Sequence, residues 1–211
     1  MDIRKKLFWL GLLAFSFSAF SVLCLDQPLA LWLKAVNVGQ YYRIYRTLTD
    51  AGEAVFYFTF SALGLAGAWL TLRFFPNLSP RMQKHFQTWK ERSLFLLASL
   101  LASGVLLHIL KMIFGRQRPH RTDSFEAHVF HPFNLDWHFH SMPSGHSQTL
   151  LTVATFFWIT YPKSAWIVFP LALFLSFTRL AMQAHFLSDV TVGAYVGLAV
   201  TLIVARKMKR I

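Results

Sequence analysis

Six apolar runs, each close to the length of a membrane-spanning helix, dominate this chain of 211 residues. They lie at roughly 7–25, 54–75, 93–114, 144–161, 164–183 and 189–206. A hydrocarbon core about 30 Å thick takes about 20 helical residues to cross. Lipid offers no partner to an unpaired backbone group, so such runs become helices. The expected fold is therefore all-α: a polytopic membrane protein with six transmembrane helices, forming a single membrane domain over 1–211. A hydrophobic share of 55%, with 17% aromatic residues, exceeds that of a soluble domain. The fourth run starts with polar residues and the fifth carries Arg179, so both are weaker as spans. The first follows Arg4, Lys5 and Lys6 and lacks a small-x-small cleavage site before Asp26. It reads as a retained anchor. The lone Cys24 leaves no disulfide framework within one chain.

The net charge is +12. A nucleic-acid-binding surface would gather such charge on a soluble face; here it lies between and beside the apolar runs, as membrane topology requires. With the N-terminus inside, the inner segments hold 13 of the 21 Lys and Arg residues. That bias places both termini in the cytoplasm. The partners expected are membrane lipids and no nucleic acid.

Between the first two runs, Trp32, Tyr41, Tyr42 and Tyr45 fit either an interfacial helix or an aromatic belt beside a spanning one. Asp50-Ala51-Gly52-Glu53 reads as a capping box, with Asp50 at the N-cap and Glu53 three residues on. Residues 76–92 read as an inner loop. Its Arg81, Lys84, Lys90 and Arg92 set orientation or attract anionic headgroups.

Three polar clusters interrupt the apolar C-terminal half. In Thr178-Arg179 through His185 to Asp189, the histidine and the carboxylate are four apart and share a helical face. A carboxylate there can hold an imidazole in one tautomer and leave its other nitrogen free to attack. Arg179 adds a fixed fork suited to phosphate. Lys111 and Arg118, seven apart, point the same way while a helix persists, and Gly115 and Pro119 end it nearby. Taken alone, those two cations fit interfacial snorkelling equally well. Pro143-Ser144-Gly145-His146 opens the fourth run, where helix N-terminal N–H groups make an anion site. Gly145 permits close approach of an oxyanion, Ser144 can donate a further hydrogen bond, and His146 stands where it can protonate a leaving oxygen. A capped helix with an interfacial histidine is the alternative for that motif alone. All three clusters fall on the outer side of the expected topology, and charge at membrane depth is costly enough to mark function.

Lys111-x6-Arg118-Pro119, Pro143-Ser144-Gly145-His146 and Arg179-x5-His185-x3-Asp189 together resemble the three motifs of the type 2 phosphatidic acid phosphatases, whose site is shared with vanadium haloperoxidases. One position departs, Thr178 standing where the family usually has Ser. The resemblance covers about 105–206, the catalytic core. It implies a haloperoxidase-like helical bundle and a set of roles. Lys111, Arg118 and Arg179 hold the phosphoryl oxygens with Ser144 and the Gly145 N–H. His185 attacks phosphorus and forms a phosphohistidine. Asp189 orients the imidazole, and His146 protonates the leaving group and then activates water. Three fixed cations then do what Mg²⁺ does elsewhere, so neither a metal nor another cofactor is expected.

A site at the membrane–water boundary favours a phosphate carried on a lipid. Phosphatidylglycerol phosphate, undecaprenyl pyrophosphate, phosphatidic acid and lipid A 1-phosphate are the candidates. Arg116 and Arg121 suit a headgroup with more than one phosphate. A lipid phosphotransferase using the same intermediate, or a non-catalytic lipid transporter on the same scaffold, are the alternatives. His120, His128, His131, His138 and His140 match no standard zinc spacing and read as headgroup contacts or polar loop. Asp136 and Trp137 are candidates for touching substrate. His108, one turn before Lys111, reads as a support to the site or as a packed core histidine.

Overall fold

The computed structural model describes residues 2–36, 41–121 and 124–211. Eight α-helices run in the order α1 (Ile3–Cys24), α2 (Asp26–Ala35), α3 (Tyr42–Asp50), α4 (Ala54–Phe74), α5 (Pro80–Phe114), α6 (Gly145–Thr160), α7 (Ala165–Ala181) and α8 (Leu187–Lys207). Among the described residues the only β pairing is an isolated bridge between Arg116 and Phe130. The architecture is the all-α membrane bundle that hydropathy implies.

Among the described residues, five stretches are long and apolar enough to cross a bilayer: Ile3–Cys24, Tyr42–Phe74, Pro80–Phe114, Pro162–Ala181 and Leu187–Lys207. The sixth expected span, α6, has 16 residues, about 24 Å of helix. Its place explains its length. It packs against α5, α7 and α8, and every residue from Ser147 to Phe156 is buried. A helix enclosed by protein need not match the thickness of lipid.

Two local expectations change. Pro80–Arg92, read as loop, is the start of α5, where Ser79 accepts from the Met82 N–H at 3.4 Å and proline occupies the first turn. The 35-residue helix is about 52 Å long, so its basic first third extends beyond a hydrocarbon core. The Asp50–Glu53 capping box does not form. Asp50 ends α3, and Glu53 is itself the N-cap of α4, without a side-chain cap. Backbone turns do that work instead, with Gly52 N–H on the Thr49 carbonyl at 2.8 Å and Glu53 N–H on that of Asp50 at 3.0 Å.

The centre of the bundle is the α6–α8 contact. Gly193 and Gly197 stand one turn apart on α8, facing α6. A Cβ on Gly193 would lie 2.3 Å from the Ser144 carbonyl oxygen, and one on Gly197 2.2 Å from that of Gln148. Small residues at this spacing let membrane helices meet backbone to backbone. The start of α6 is thereby drawn onto the start of α8, where Ser144 N–H donates to the Asp189 carbonyl at 2.9 Å. Polar groups join α6 to α5: Gln148 Nε2 donates to Ser103 Oγ at 2.6 Å, and Ser103 pairs with Thr152 at 3.2 Å. Below them lies an apolar layer of Phe95, Leu96, Leu100, Val153, Phe156 and Ala205. Phe8, Leu13, Phe56, Phe60 and Trp166 point outward and are exposed, the surface expected where lipid is the solvent.

The two ends of the bundle differ. At one end Arg206 pairs with Asp2 at 3.0 Å, Arg210 with Glu91 at 3.2 Å, and Arg92 donates to the Tyr161 hydroxyl at 2.8 Å. This end gathers both termini and the basic start of α5. The other end carries residues 115–143 and the three motif clusters.

Candidate active site

The site is assembled where α5 stops. Gly115 closes α5 in the left-handed region (φ 56°), and a Cβ there would lie 1.8 Å from the His131 carbonyl oxygen; only glycine fits. The chain then doubles back. His131 N–H donates to Gly115 at 2.7 Å, Gln117 N–H to Val129 at 3.1 Å, and Ser141 N–H to Arg116 at 2.9 Å. Short 3₁₀ turns at Pro119–Arg121 and Trp137–Phe139 complete the loop. Helix α2 covers it, with Ala30 in a buried cluster with Phe125, Ala127 and Phe186. Trp32, Tyr41 and Tyr42 of the aromatic stretch stay exposed.

Beneath lies a cavity of about 400 Å³. Its polar end is formed by Lys111, Arg118, Arg179, Gly145, His146 and His185, and its walls by Val55 and Phe58 of α4 and Leu100 and Leu107 of α5. Lys111 Nζ donates to the His140 carbonyl at 2.6 Å, and Arg118 Nη2 reaches the same oxygen at 3.4 Å. Arg179 Nη1 donates to Thr49 Oγ1 of α3 at 3.1 Å. Among the described residues, the buried Nε atoms of Arg118 and Arg179 have no hydrogen-bond partner. Buried donors are ordinarily paired; two unpaired guanidinium donors beside a lysine make a site ready for an anion.

His185 sits between this cation cluster and a carboxylate. Its Nδ1 is 3.6 Å from Asp189 Oδ2 and 3.5 Å from Ser141 Oγ. Its Nε2 is 3.4 Å from Arg118 Nη1. Arginine can only donate, so Nε2 is the acceptor and the proton belongs on Nδ1. Burial pushes the His185 pKa well below the ordinary imidazole value. Asp189 opposes that shift, and Arg118, Lys111 and Arg179 add to it. The imidazole is neutral at neutral pH, with the Nε2 lone pair turned toward the cations.

Six of the eight residues expected from the motifs line the cavity: Lys111, Arg118, Gly145, His146, Arg179 and His185. The other two stand behind it. Asp189 is fully buried behind His185, and Ser144 is fully buried at the N-cap of α6, where its Oγ accepts from Ser147 at 3.1 Å. A Cβ on Gly145 would meet only Leu107 Cδ2, at 3.5 Å, so the protein itself leaves the space above that N–H open.

The PAP2 superfamily profile matches residues 92–211, more than half of the chain. The chain belongs to the PAP2 superfamily. As a PAP2 protein it is a membrane phosphatase of lipid metabolism. It is 27% identical over 179 residues to a lipid A 1-phosphatase of Rhizobium etli, covering 85% of this chain and 75% of that one. It is 32% identical over 111 residues to a lipid A 1-phosphatase of Rhizobium johnstonii, covering 53% and 46%. Among solved structures it resembles the PAP2-type phosphatidylglycerolphosphate phosphatase of Bacillus subtilis (TM-score 0.68, 19% identity, 98% of this chain and 97% of that one). It also resembles Aquifex aeolicus LpxE (TM-score 0.58, 19% identity, 87% and 96%). At such identity these two likenesses concern the fold.

One expectation about this PAP2 site is corrected. Arg116, read as a headgroup contact, is completely buried and pairs with Asp26 at 2.7 Å and Asp189 at 2.6 Å. Its position directly after Gly115 turns it inward. Arg121 is exposed, bonded to His138 and 5.2 Å from the Trp137 ring centroid. Asp136 and Trp137 brace the loop: Asp136 pairs with His138 at 3.0 Å, and the Trp137 ring underlies Arg118 at 5.5 Å. His140 Nε2 meets the Asn134 carbonyl at 2.8 Å, and His131 lies edge-on to Phe139. Among the described residues no group of three or more His, Cys, Asp or Glu side chains is placed to hold a metal. His108 is exposed at the cavity wall.

Asp26, Ser141 and Thr49 escaped the sequence reading. Ser141 Oγ donates to Asp189 Oδ2 at 2.6 Å. Its adjacency to the Pro-Ser-Gly-His motif is the one local signal; for Asp26 and Thr49 nothing local distinguishes partners 90 and 130 positions away.

Proposed function

We propose that this PAP2 protein removes phosphate from a membrane lipid through a phosphohistidine on His185, without a metal ion. The observation that carries this reading is a cavity in which a neutral imidazole nitrogen meets three cations at one end and apolar walls at the other. A lipid phosphate has the matching polarity. The phosphoryl oxygens lie against Lys111, Arg118 and Arg179, the unpaired Nε donors taking up bonds, with the Gly145 N–H completing the cradle. Ser144 supports that cradle from behind. The Nε2 lone pair forms the N–P bond as the P–O bond to the lipid breaks. The electron pair leaves on the lipid oxygen, which takes a proton from His146. Asp189 holds the Nδ1 proton and offsets the positive ring. His146, now neutral, takes a proton from water, whose oxygen attacks phosphorus and frees His185 and inorganic phosphate.

Lipid A 1-phosphate heads the candidates, because both sequence relatives bear that activity in their names. Phosphatidylglycerol phosphate, undecaprenyl pyrophosphate and phosphatidic acid follow. The gathering of basic residues at the end away from the site supports cytoplasmic termini and a site on the outer face of the inner membrane. The residues that carry the chemistry fall within 105–206.

The test is phosphate release by purified protein in detergent, with excess EDTA, from each of the four lipids. The expected result is release from one lipid by the wild type and none by a folded His185→Ala variant. Release that persists in His185→Ala would remove the phosphohistidine. Dependence on added Mg²⁺ would remove metal independence, and a phosphorylated acceptor lipid without free phosphate would turn the reading to phosphotransfer.

A further inference from the structure

Behind the cavity lies a second buried charge cluster that the proposed reaction leaves unused. Arg116 is wholly enclosed and every one of its donor nitrogens is engaged. Nε and Nη2 donate to the Ala127 carbonyl at 3.0 and 2.6 Å, Nη1 to Asp189 Oδ1 at 2.6 Å and Ser188 Oγ at 2.5 Å, and Nη2 to Asp26 Oδ2 at 2.7 Å. The rings of Phe186 and Phe130 flank the guanidinium, their centroids 4.2 and 5.4 Å away. Asp26 is equally buried. Its Oδ1 accepts from Ser21 Oγ at 2.7 Å and from the Ser188 N–H at 3.1 Å, and its Oδ2 accepts from the Ser188 hydroxyl. Asp26 opens α2, well upstream of the 92–211 segment that matches the family.

The charge count is the informative feature. Arg116 alone, bonded to Asp189, would cancel the carboxylate on which the His185 ring depends. A second carboxylate on the far side of the guanidinium restores a net charge of minus one to the trio. In a site without solvent that difference is felt strongly at 3.6 Å. We propose that Asp26 and Arg116 are positioning residues for His185 acting through Asp189: Arg116 fixes the carboxylate, and Asp26 absorbs the arginine's charge so that Asp189 still faces His185 as an anion. Asp189 is held otherwise by Ser141 at 2.6 Å and the Phe186 N–H at 2.9 Å on Oδ2. Those two neutral donors orient the carboxylate without removing its charge. The corner between α1 and α2 thereby becomes part of the reaction's machinery.

This rests on the proposed role of His185, so the assay is run beside His185→Ala; turnover that survives that change defeats the proposed function itself. Asp26→Asn keeps the shape and an acceptor for Ser21 and Ser188 while removing one charge. The expected result is a fall in kcat of about tenfold or more with KM within about twofold and a folded protein by thermal melt. Adding Arg116→Gln to Asp26→Asn returns the trio to minus one and is expected to recover part of kcat. Should the double variant not fold, Asp26→Glu, which keeps the charge, is compared instead and is expected to exceed Asp26→Asn in kcat. A folded Asp26→Asn with normal kcat overturns the inference, as does a compensating variant no faster than Asp26→Asn. Failure of Asp26→Asn to fold overturns it too, leaving Asp26 as a helix cap for α8.

Discussion

Two buried charge clusters stand side by side at the end of this bundle away from the chain termini, and they are built on opposite rules. Around Arg116 every donor is paired, and two carboxylates and two aromatic rings enclose the guanidinium. Around the cavity, Lys111, Arg118 and Arg179 crowd together, sharing one backbone carbonyl between two of them and leaving two Nε atoms without partners among the described residues. A closed network of this kind holds structure, and removing one member strands the rest. An open cluster of like charges costs stability and is retained where a ligand of opposite charge completes it.

The comparison is broken or sharpened by substitution. Arg116→Met leaves Asp26 and Asp189 buried and unpaired, and is expected to destabilise the fold by about 3–5 kcal/mol, read from thermal melts in detergent. Arg179→Gln is expected to leave the melting temperature unchanged or higher, since it relieves repulsion, while kcat/KM falls about 100- to 1,000-fold. A comparable loss of stability in Arg179→Gln would erase the distinction between the clusters.

A smaller effect concerns pH. Burial, reinforced by Arg118, Lys111 and Arg179 against the pull of Asp189, holds the His185 pKa below its ordinary value. Falling pH places a proton on Nε2 and removes the lone pair proposed to attack phosphorus. The acid limb of kcat/KM attributable to this group is therefore expected below pH about 6.5, and a limb at or above that value would mean a solvated imidazole. The smallest effect is expected from Arg121→Ala. The side chain is exposed and touches His138 and Trp137 rather than the cavity, so kcat/KM should stay within about twofold. A large loss would restore Arg121 as a headgroup contact.

Reading charges along the sequence finds the open cluster and misses the closed one. Lys111, Arg118, His146, Arg179 and His185 each stand in a short motif with its own spacing, and six of the eight motif residues converge on one cavity. Arg116 lies between two of them with no local sign that it turns inward. Its carboxylate partners are 90 and 73 positions away. The short α6 likewise reads as a full span, because hydropathy records apolarity and not whether lipid or protein surrounds it.

The sequence by itself determined the membrane bundle, its charged end, and the three motifs whose residues meet at the cavity. These follow from periodicities and solvation costs that act within twenty residues or fewer. Only the tertiary structure decided which charges are spent on one another. The glycine contact that draws α6 onto α8, and the corner where Asp26 meets Arg116 across 90 positions, depend on chain segments that lie far apart in the sequence. The balance of a buried charge is a property of all its neighbours at once, and those neighbours are set by packing.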